Sequence, residues 1–267
     1  MSETSYLTLS VQRHGAVARL VMNRPDKLNT FDSVMRREMI DAVNSLNRDP
    51  ELRVVVLAGE GRAFCAGADL ADGFSGDPAQ AGANTEDMLR SEYKPSIMAI
   101  CESPKLWIAE VSGAAAGIGS AYMLACDLVV MSEGAYLYQA FAAIGLIPDG
   151  GATWQLLRGV GRKRAFEIII GGERVYAQRC LELGLCNRVV GDGEETAAAL
   201  DWAAELAKKA PLAVQYTKKA LALAADLNVG EMISQEAAMQ NLCISSEDSS
   251  EGVTAFFEKR APVFKGR

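Results

Sequence analysis

Apolar and polar residues alternate with a period of two over Tyr6 to Gln12 and again over Val17 to Met22. His14-Gly15 lies between the two runs, so they are expected to form a hairpin. Asn23-Arg24-Pro25-Asp26 breaks this pattern, and the period then changes. Met35, Met39, Val43 and Leu46 recur at helical spacing behind a capping Asp32 or Ser33, and Asp49-Pro50 ends the helix. Arg53 to Ala58 is short and almost wholly apolar, as expected of a strand covered on both faces. Gly59 to Asp69 is rich in small residues, and residues 71–85 lack periodicity, which predicts a loop. Glu86 to Cys101 reads as a helix, Leu106 to Val111 as a strand, Gly113 to Gly119 as a flexible link and Ser120 to Ala125 as a helix. Leu128 to Met131 and Tyr136 to Phe141 read as strands, and Gly145 to Gly151 as a turn around Pro148.

Beyond Thr153 the pattern is mainly helical. Thr153 to Leu157, Lys163 to Ile170 and Ala177 to Leu183 are helices separated by glycines, with a short strand at Asn187 to Val190. Glu194 to Lys208, Ala213 to Leu223, Glu231 to Ile244 and Ser249 to Lys259 complete the helical set. The fold class is therefore α/β, with ββα-like units first and helices last. Their loose recurrence suggests a spiral of stacked sheets, although no sharp repeat supports it. The expected division is a core of residues 1–200 and a C-terminal helical region of residues 201–267.

The formal net charge of −7 argues against DNA or another long polyanion as partner, but leaves room for a basic patch around one small anion. No apolar run is long enough to span a bilayer and no stretch reads as a leader, so a cytoplasmic protein with no membrane partner is expected. Six scattered cysteines without a C-x-x-C pair read as free, buried thiols. The single histidine, His14, falls in the hairpin turn. That position disfavours a Ser-His-Asp triad, and the count rules out a histidine-based zinc site. Acid–base chemistry then falls to Asp, Glu, Tyr, Lys or Cys.

Two small-residue segments follow buried strands: Arg62-Ala63-Phe64-Cys65-Ala66-Gly67-Ala68-Asp69-Leu70 and Gly113-Ala114-Ala115-Ala116-Gly117-Ile118-Gly119. A helix starting near Gly117 would present free N–H groups to a negatively charged ligand oxygen. Two such groups converging on one point would make an oxyanion hole. Tight helix-to-sheet packing demands the same small residues, and composition alone favours that packing reading. Neither segment has the spacing of a nucleotide-phosphate loop.

These segments are joined, in order, by Asn23-Arg24-Pro25-Asp26-Lys27-Leu28-Asn29, Cys126-Asp127, Gly145-Leu146-Ile147-Pro148-Asp149-Gly150-Gly151 and Phe257-Glu258-Lys259-Arg260. Together the motifs resemble the crotonase (enoyl-CoA hydratase/isomerase) superfamily, essentially from end to end. The resemblance implies a crotonase-like spiral of ββα units with a C-terminal helical trimerisation region, and a coenzyme A thioester as ligand. It implies oxyanion donors at the N–H groups of Ala68 and Ile118. Glycine is usual in the family at the second place, so Ile118 is a departure. The implied chemistry needs no metal or separate cofactor, coenzyme A being part of the substrate.

The two glutamates of family hydratases align with Ala121 and Phe141, which argues against a plain hydratase. A third family position, acidic in several isomerases and in aryl-CoA dehalogenases, is Asp149. Taken alone, an aspartate in a glycine turn is more commonly a turn or cap residue. Taken with the resemblance it is the expected acid–base, partly buried and with a raised pKa. The Ile-Pro-Asp-Gly-Gly-x-Thr-Trp stretch is most similar to ring-epoxide phenylacetyl-CoA isomerases. The dehalogenase reading lacks a suitable histidine. Glu110, an acid in an apolar strand, is read first as a buried ion pair or subunit contact.

The resemblance further implies that Lys27, Leu28, Ala66, Asp69 and Leu70 line the coenzyme A site, with Phe256 and Lys259 reaching a neighbouring subunit's coenzyme A. For the two lysines an ordinary solvated charge competes with that role. Met88, Leu89, Tyr93 and Trp107 are in reach of an acyl pocket, but ordinary core is the favoured reading for each. The leading expectation is an acyl-CoA isomerase acting on an enoyl-CoA or epoxyphenylacetyl-CoA-like substrate, assembled as a homotrimer or hexamer. The alternatives are a hydratase or lyase with atypical catalytic groups and a catalytically silent acyl-CoA binder or scaffold trimer.

Overall fold

The computed structural model describes residues 6–72 and 78–267. Strands β1 (Leu9–His14) and β2 (Val17–Met22) form the expected hairpin, in register from Leu9 opposite Met22 to His14 opposite Val17. Helix α1 (Ser33–Arg48) starts where Asp32 accepts a 2.8 Å hydrogen bond from Met35 N, and it buries Met35, Met39, Val43 and Leu46. Strand β3 (Val54–Gly59) is buried along its whole length.

Residues 71–85, expected to be a loop, follow that expectation only in part. Residues 73–77 lie outside the described residues, and α2 (Pro78–Met88) is a helix. Its Gly82 and Asn84 are poor helix formers, which hid it. The helix expected over Glu86 to Cys101 is composite: the end of α2, a π-turn over Leu89–Tyr93, and α3 (Lys94–Cys101).

Next come β4 (Leu106–Val111), β5 (Ala114–Ala116), α4 (Ile118–Ala125), β6 (Leu128–Ser132) and β7 (Tyr136–Tyr138). The small-residue link is thus partly a strand. Helix α5 (Ala152–Gly171) is broken at Gly161, whose φ is 74°. Strand β8 (Arg174–Tyr176), which carries no readable alternation, is followed by α6 (Ala177–Glu182) and β9 (Arg188–Val190). The chain ends in α7 (Glu195–Leu206), α8 (Pro211–Ala224), α9 (Val229–Ile244) and α10 (Glu247–Glu258).

The strands form a six-stranded sheet ordered β1-β2-β3-β4-β6-β9, parallel from β2 onward, and a second sheet ordered β5-β7-β8. Successive turns of chain place one strand in the first sheet and one short extended segment beside it. Phe31 bridges Ala68, Cys65 bridges Ala115, and β5 pairs with β7, all in parallel. This is the crotonase-like spiral.

Side chains on one face of the main sheet, including Leu20, Val55, Leu57, Trp107 and Ala109, enter the large core beneath α1 and α4. The opposite face, with Val17, Val54, Val56, Ile108 and Val130, is covered by Ala199 and Ala203 of α7. Glu110 belongs to that second face. Its carboxylate accepts bonds of 2.8 and 2.6 Å from Arg19 and 2.6 Å from Thr196 Oγ1 of α7. The odd acid of β4 is therefore half of a buried ion pair.

Helix α7 runs through residue 200 and packs on β3, β4 and β6. Lys218 ties α8 to the core through Asp127 at 2.9 Å and the Ile100 carbonyl at 2.7 Å. No described helix is long and apolar enough to cross a membrane.

Candidate active site

The first motif builds the second. Asn29 is fully buried in a left-handed conformation (φ 57°) and donates to the Glu60 and Ala63 carbonyls at 2.9 and 2.7 Å. Ala66 N donates to the Leu28 carbonyl, Phe31 N to the Gly67 carbonyl and Asp69 N to the Phe31 carbonyl, each at 2.9 Å. Arg24 binds the carboxylates of Asp69 and Asp32, both at 3.1 Å. Asp69 thus holds the loop with both its backbone and its side chain. Among the described residues, Ala68 N makes no backbone hydrogen bond.

The second segment meets the first at its glycines. The Cβ direction of Gly67 ends 3.4 Å from the Ala116 carbonyl oxygen and 3.9 Å from Gly117 Cα. Gly117 is the N-cap of α4, so Ile118 N occupies the first helical position, where no intrahelical acceptor exists. The two unclaimed amides each follow one of these touching glycines. Gly117 has φ 51° and ψ −130°, a conformation that L side chains adopt only under strain. Nothing closer than 3.6 Å meets an added Cβ there. Gly117→Ala is therefore expected to destabilise through backbone strain, by about 1–3 kcal/mol, measured by urea denaturation.

Asp149 is delivered to the same place by the glycine turn. A Cβ on Gly150 would overlap Ile118 Cδ1 and come within 2.8 Å of Ala121 Cβ and 3.1 Å of Ile97 Cδ1. Only glycine lets this turn press against the start of α4. The Asp149 Oδ1 atom is buried and has no hydrogen-bond partner. Burial lifts the carboxyl from its ordinary 3.8 to about 6, with a backbone hydrogen bond pulling it down. Helix α5 is capped by Gly151 with no side-chain bond, so the Asp149 side chain is not a cap. Ala121 is fully buried and Phe141 nearly so, and Phe141 Cζ lies 3.9 Å from the Gly117 Cβ direction. Both positions border the cluster and neither carries a carboxylate.

Lys27 is exposed, Leu28 is half-buried with φ 51°, Ala66 is half-buried, and Leu70 is 53% exposed. They lie on the two segments that the Ala66 to Leu28 backbone bond joins. Phe256, on α10, and Lys259, at its C-cap, lie apart; α10 packs on α9, and both residues are exposed within one chain. Trp107 is core, the reading favoured for it: it is fully buried and its indole donates to Asn47 at 3.2 Å. Met88 and Leu89 pack on the edge of the core, and the Tyr93 hydroxyl is buried without a partner.

Cys65 sits between the two segments. Burial pushes its thiol up to about 12, so it is protonated at neutral pH and is not a nucleophile there. All six cysteines are free. Two residues that sequence reasoning missed also border the site. Ser120 and Gln139 are fully buried polar side chains in otherwise apolar segments, and that polarity is the signal that marks them.

Comparison with known proteins identifies relatives of the whole fold. The enoyl-CoA hydratase/isomerase family model matches residues 12–267. A probable enoyl-CoA hydratase of Rhodobacter capsulatus is 38% identical over 98% of this chain and 100% of its own. The 1,2-epoxyphenylacetyl-CoA isomerase of Escherichia coli is 34% identical over 94% of this chain and 95% of its own. The crystal structure of an enoyl-CoA hydratase from Bacillus anthracis superposes with a TM-score of 0.92 at 30% identity, covering 97% of this chain and 100% of that one.

Proposed function

From the premise that the chain belongs to the enoyl-CoA hydratase/isomerase family, we propose that it is an acyl-CoA isomerase. In this reading the N–H groups of Ala68 and Ile118 grip the thioester oxygen, and Asp149 moves a proton between carbons of the acyl chain. Loss of an α or γ proton drives negative charge onto that oxygen. Preorganised amides stabilise it, one such donor being worth roughly 3 kcal/mol in comparable sites. The single carboxylate then returns the proton at the other carbon, and no water is consumed.

The observation that carries this reading is the position of Asp149. Its carboxylate is largely buried with Oδ1 unpartnered, and the adjoining Gly150 abuts Ile118, while the two positions expected to hold hydratase glutamates are Ala121 and Phe141. The substrate class is an enoyl-CoA or epoxyphenylacetyl-CoA-like thioester; coenzyme A arrives with the substrate, and no metal or other cofactor has a step. The coenzyme A end is proposed to lie along Lys27, Leu28, Ala66, Asp69 and Leu70. Phe256 and Lys259 would reach it from a neighbouring copy in a homotrimer or a dimer of trimers. Relatives named as hydratases favour the second reading, water addition by atypical groups.

Incubation with but-3-enoyl-CoA separates the two readings. Isomerisation yields but-2-enoyl-CoA that persists, whereas a hydratase leaves but-3-enoyl-CoA unchanged and carries only separately supplied but-2-enoyl-CoA on to the 3-hydroxy product. A base must be ionised to act. With Asp149 at about 6, kcat/KM is expected to fall as pH drops below about 6 and to level off above neutrality. A profile flat from pH 5 to 8 removes Asp149 from the proton transfer.

A further inference from the structure

We infer that Ser120 and Gln139 are positioning residues for the reaction, acting on the Gly117–Ile118 peptide to aim and strengthen the Ile118 N–H. The inference rests on the reading that this N–H grips the thioester oxygen. The C=O of Gly117 and the N–H of Ile118 belong to one planar trans peptide and point in opposite directions. Whatever holds the carbonyl therefore sets the direction of the amide. Two donors hold it: Ser120 Oγ at 2.6 Å and Ser120 N at 3.0 Å.

A carbonyl can only accept, so the Ser120 hydroxyl must spend its one hydrogen on Gly117. Its oxygen is then left as an acceptor, and Gln139 Nε2 donates to it at 2.8 Å. This fixes the orientation of the Gln139 amide, with Oε1 left buried and unpartnered. Both side chains are fully buried, so water does not substitute for either. The chain Gln139 → Ser120 → Gly117 carbonyl runs in one direction, and each bond polarises the next. Its end is a peptide whose oxygen is loaded with donors and whose N–H is correspondingly more positive. Gly117 cannot hold this peptide by itself, because its own conformation is the permissive one reserved for glycine. The free Ile118 amide needs an external restraint, and Ser120 supplies it.

The test uses the full chain and butyryl-CoA labelled with ¹³C at the thioester carbonyl, a saturated analogue that cannot isomerise. Isotope-edited infrared spectroscopy reads the carbonyl stretch free and bound. In the wild type the bound stretch is expected at lower frequency than the free one. Ser120→Ala is expected to lose part of that downshift and about tenfold in kcat on but-3-enoyl-CoA. Binding of butyryl-CoA should weaken far less, since coenzyme A contacts are untouched. Gln139→Leu is expected to act in the same direction and more weakly, because the Ser120 hydroxyl is then free to turn. If Ser120→Ala fails to fold, Gln139→Leu carries the test. A wild-type downshift retained in full by the folded variant overturns this inference and leaves the proposed function standing. No downshift in the wild type overturns both.

Discussion

Asp149→Asn lowers kcat for isomerisation of but-3-enoyl-CoA by about 10²–10⁴-fold, the range set by removal of a positioned general base, and at the same time makes the folded protein more stable at neutral pH. The two effects share a cause. In the native state burial holds the Asp149 carboxyl at about 6, above its ordinary 3.8. A raised acid binds its proton more tightly when folded, so its favourable contribution is complete only below about pH 4. That contribution is lost as pH rises through 6. Above pH 7 the ionised, largely buried carboxylate is a liability of order 1–3 kcal/mol, which the neutral amide relieves. The variant should therefore melt higher than wild type at pH 8 and differ little at pH 4. A turn or cap aspartate predicts the opposite sign, loss of stability with activity nearly intact. Melting curves at the two pH values, beside single-turnover rates, decide between them.

Glu110→Ala is expected to cost about 3–5 kcal/mol of folding stability while leaving kcat near the wild-type value in whatever fraction stays folded. Arg19 and Glu110 have side chains only 10% and 4% exposed, and their two hydrogen bonds are in fork geometry. Removing the carboxylate leaves a guanidinium under α7 with Gln12 as its remaining side-chain partner, at 3.3 Å. The Thr196 hydroxyl loses its acceptor as well. The double variant Arg19→Leu with Glu110→Leu should recover most of the loss, because an apolar pair does not carry the desolvation penalty. Urea denaturation of the single and double variants measures this. A Glu110→Ala protein that is stable but inactive would move Glu110 into the chemistry.

Much of this architecture was legible in the residue pattern, and the exceptions share a reason. Helix α1 announces itself through Asp32 and the Met35, Met39, Val43, Leu46 stripe, and β3 through an unbroken apolar run. Strands β5 and β8 have three residues each, too few to show a period, and they exist because the spiral offers them parallel or antiparallel neighbours. The π-turn at Leu89–Tyr93 has no side-chain signature at all. At the candidate site, the partial burial of Asp149 and the two glycine segments were readable. The Ile118–Gly150 approach, the Arg19–Glu110 pairing and the Ser120–Gln139 chain join residues from 19 to 91 positions apart. Such partners are chosen by tertiary packing, which no local period encodes.

The amides assigned to the thioester oxygen are main-chain groups, carried by adjoining turns of the spiral, with Ser120 and Gln139 restraining one of them. Substitutions that spare those two side chains and the neighbouring glycines leave the amides in place. Acids, by contrast, can come and go at positions 121, 141 and 149, all of which border the same point. A lineage built on this scaffold can therefore exchange one reaction for another by relocating a single carboxylate, without passing through a form that has lost its grip on the thioester.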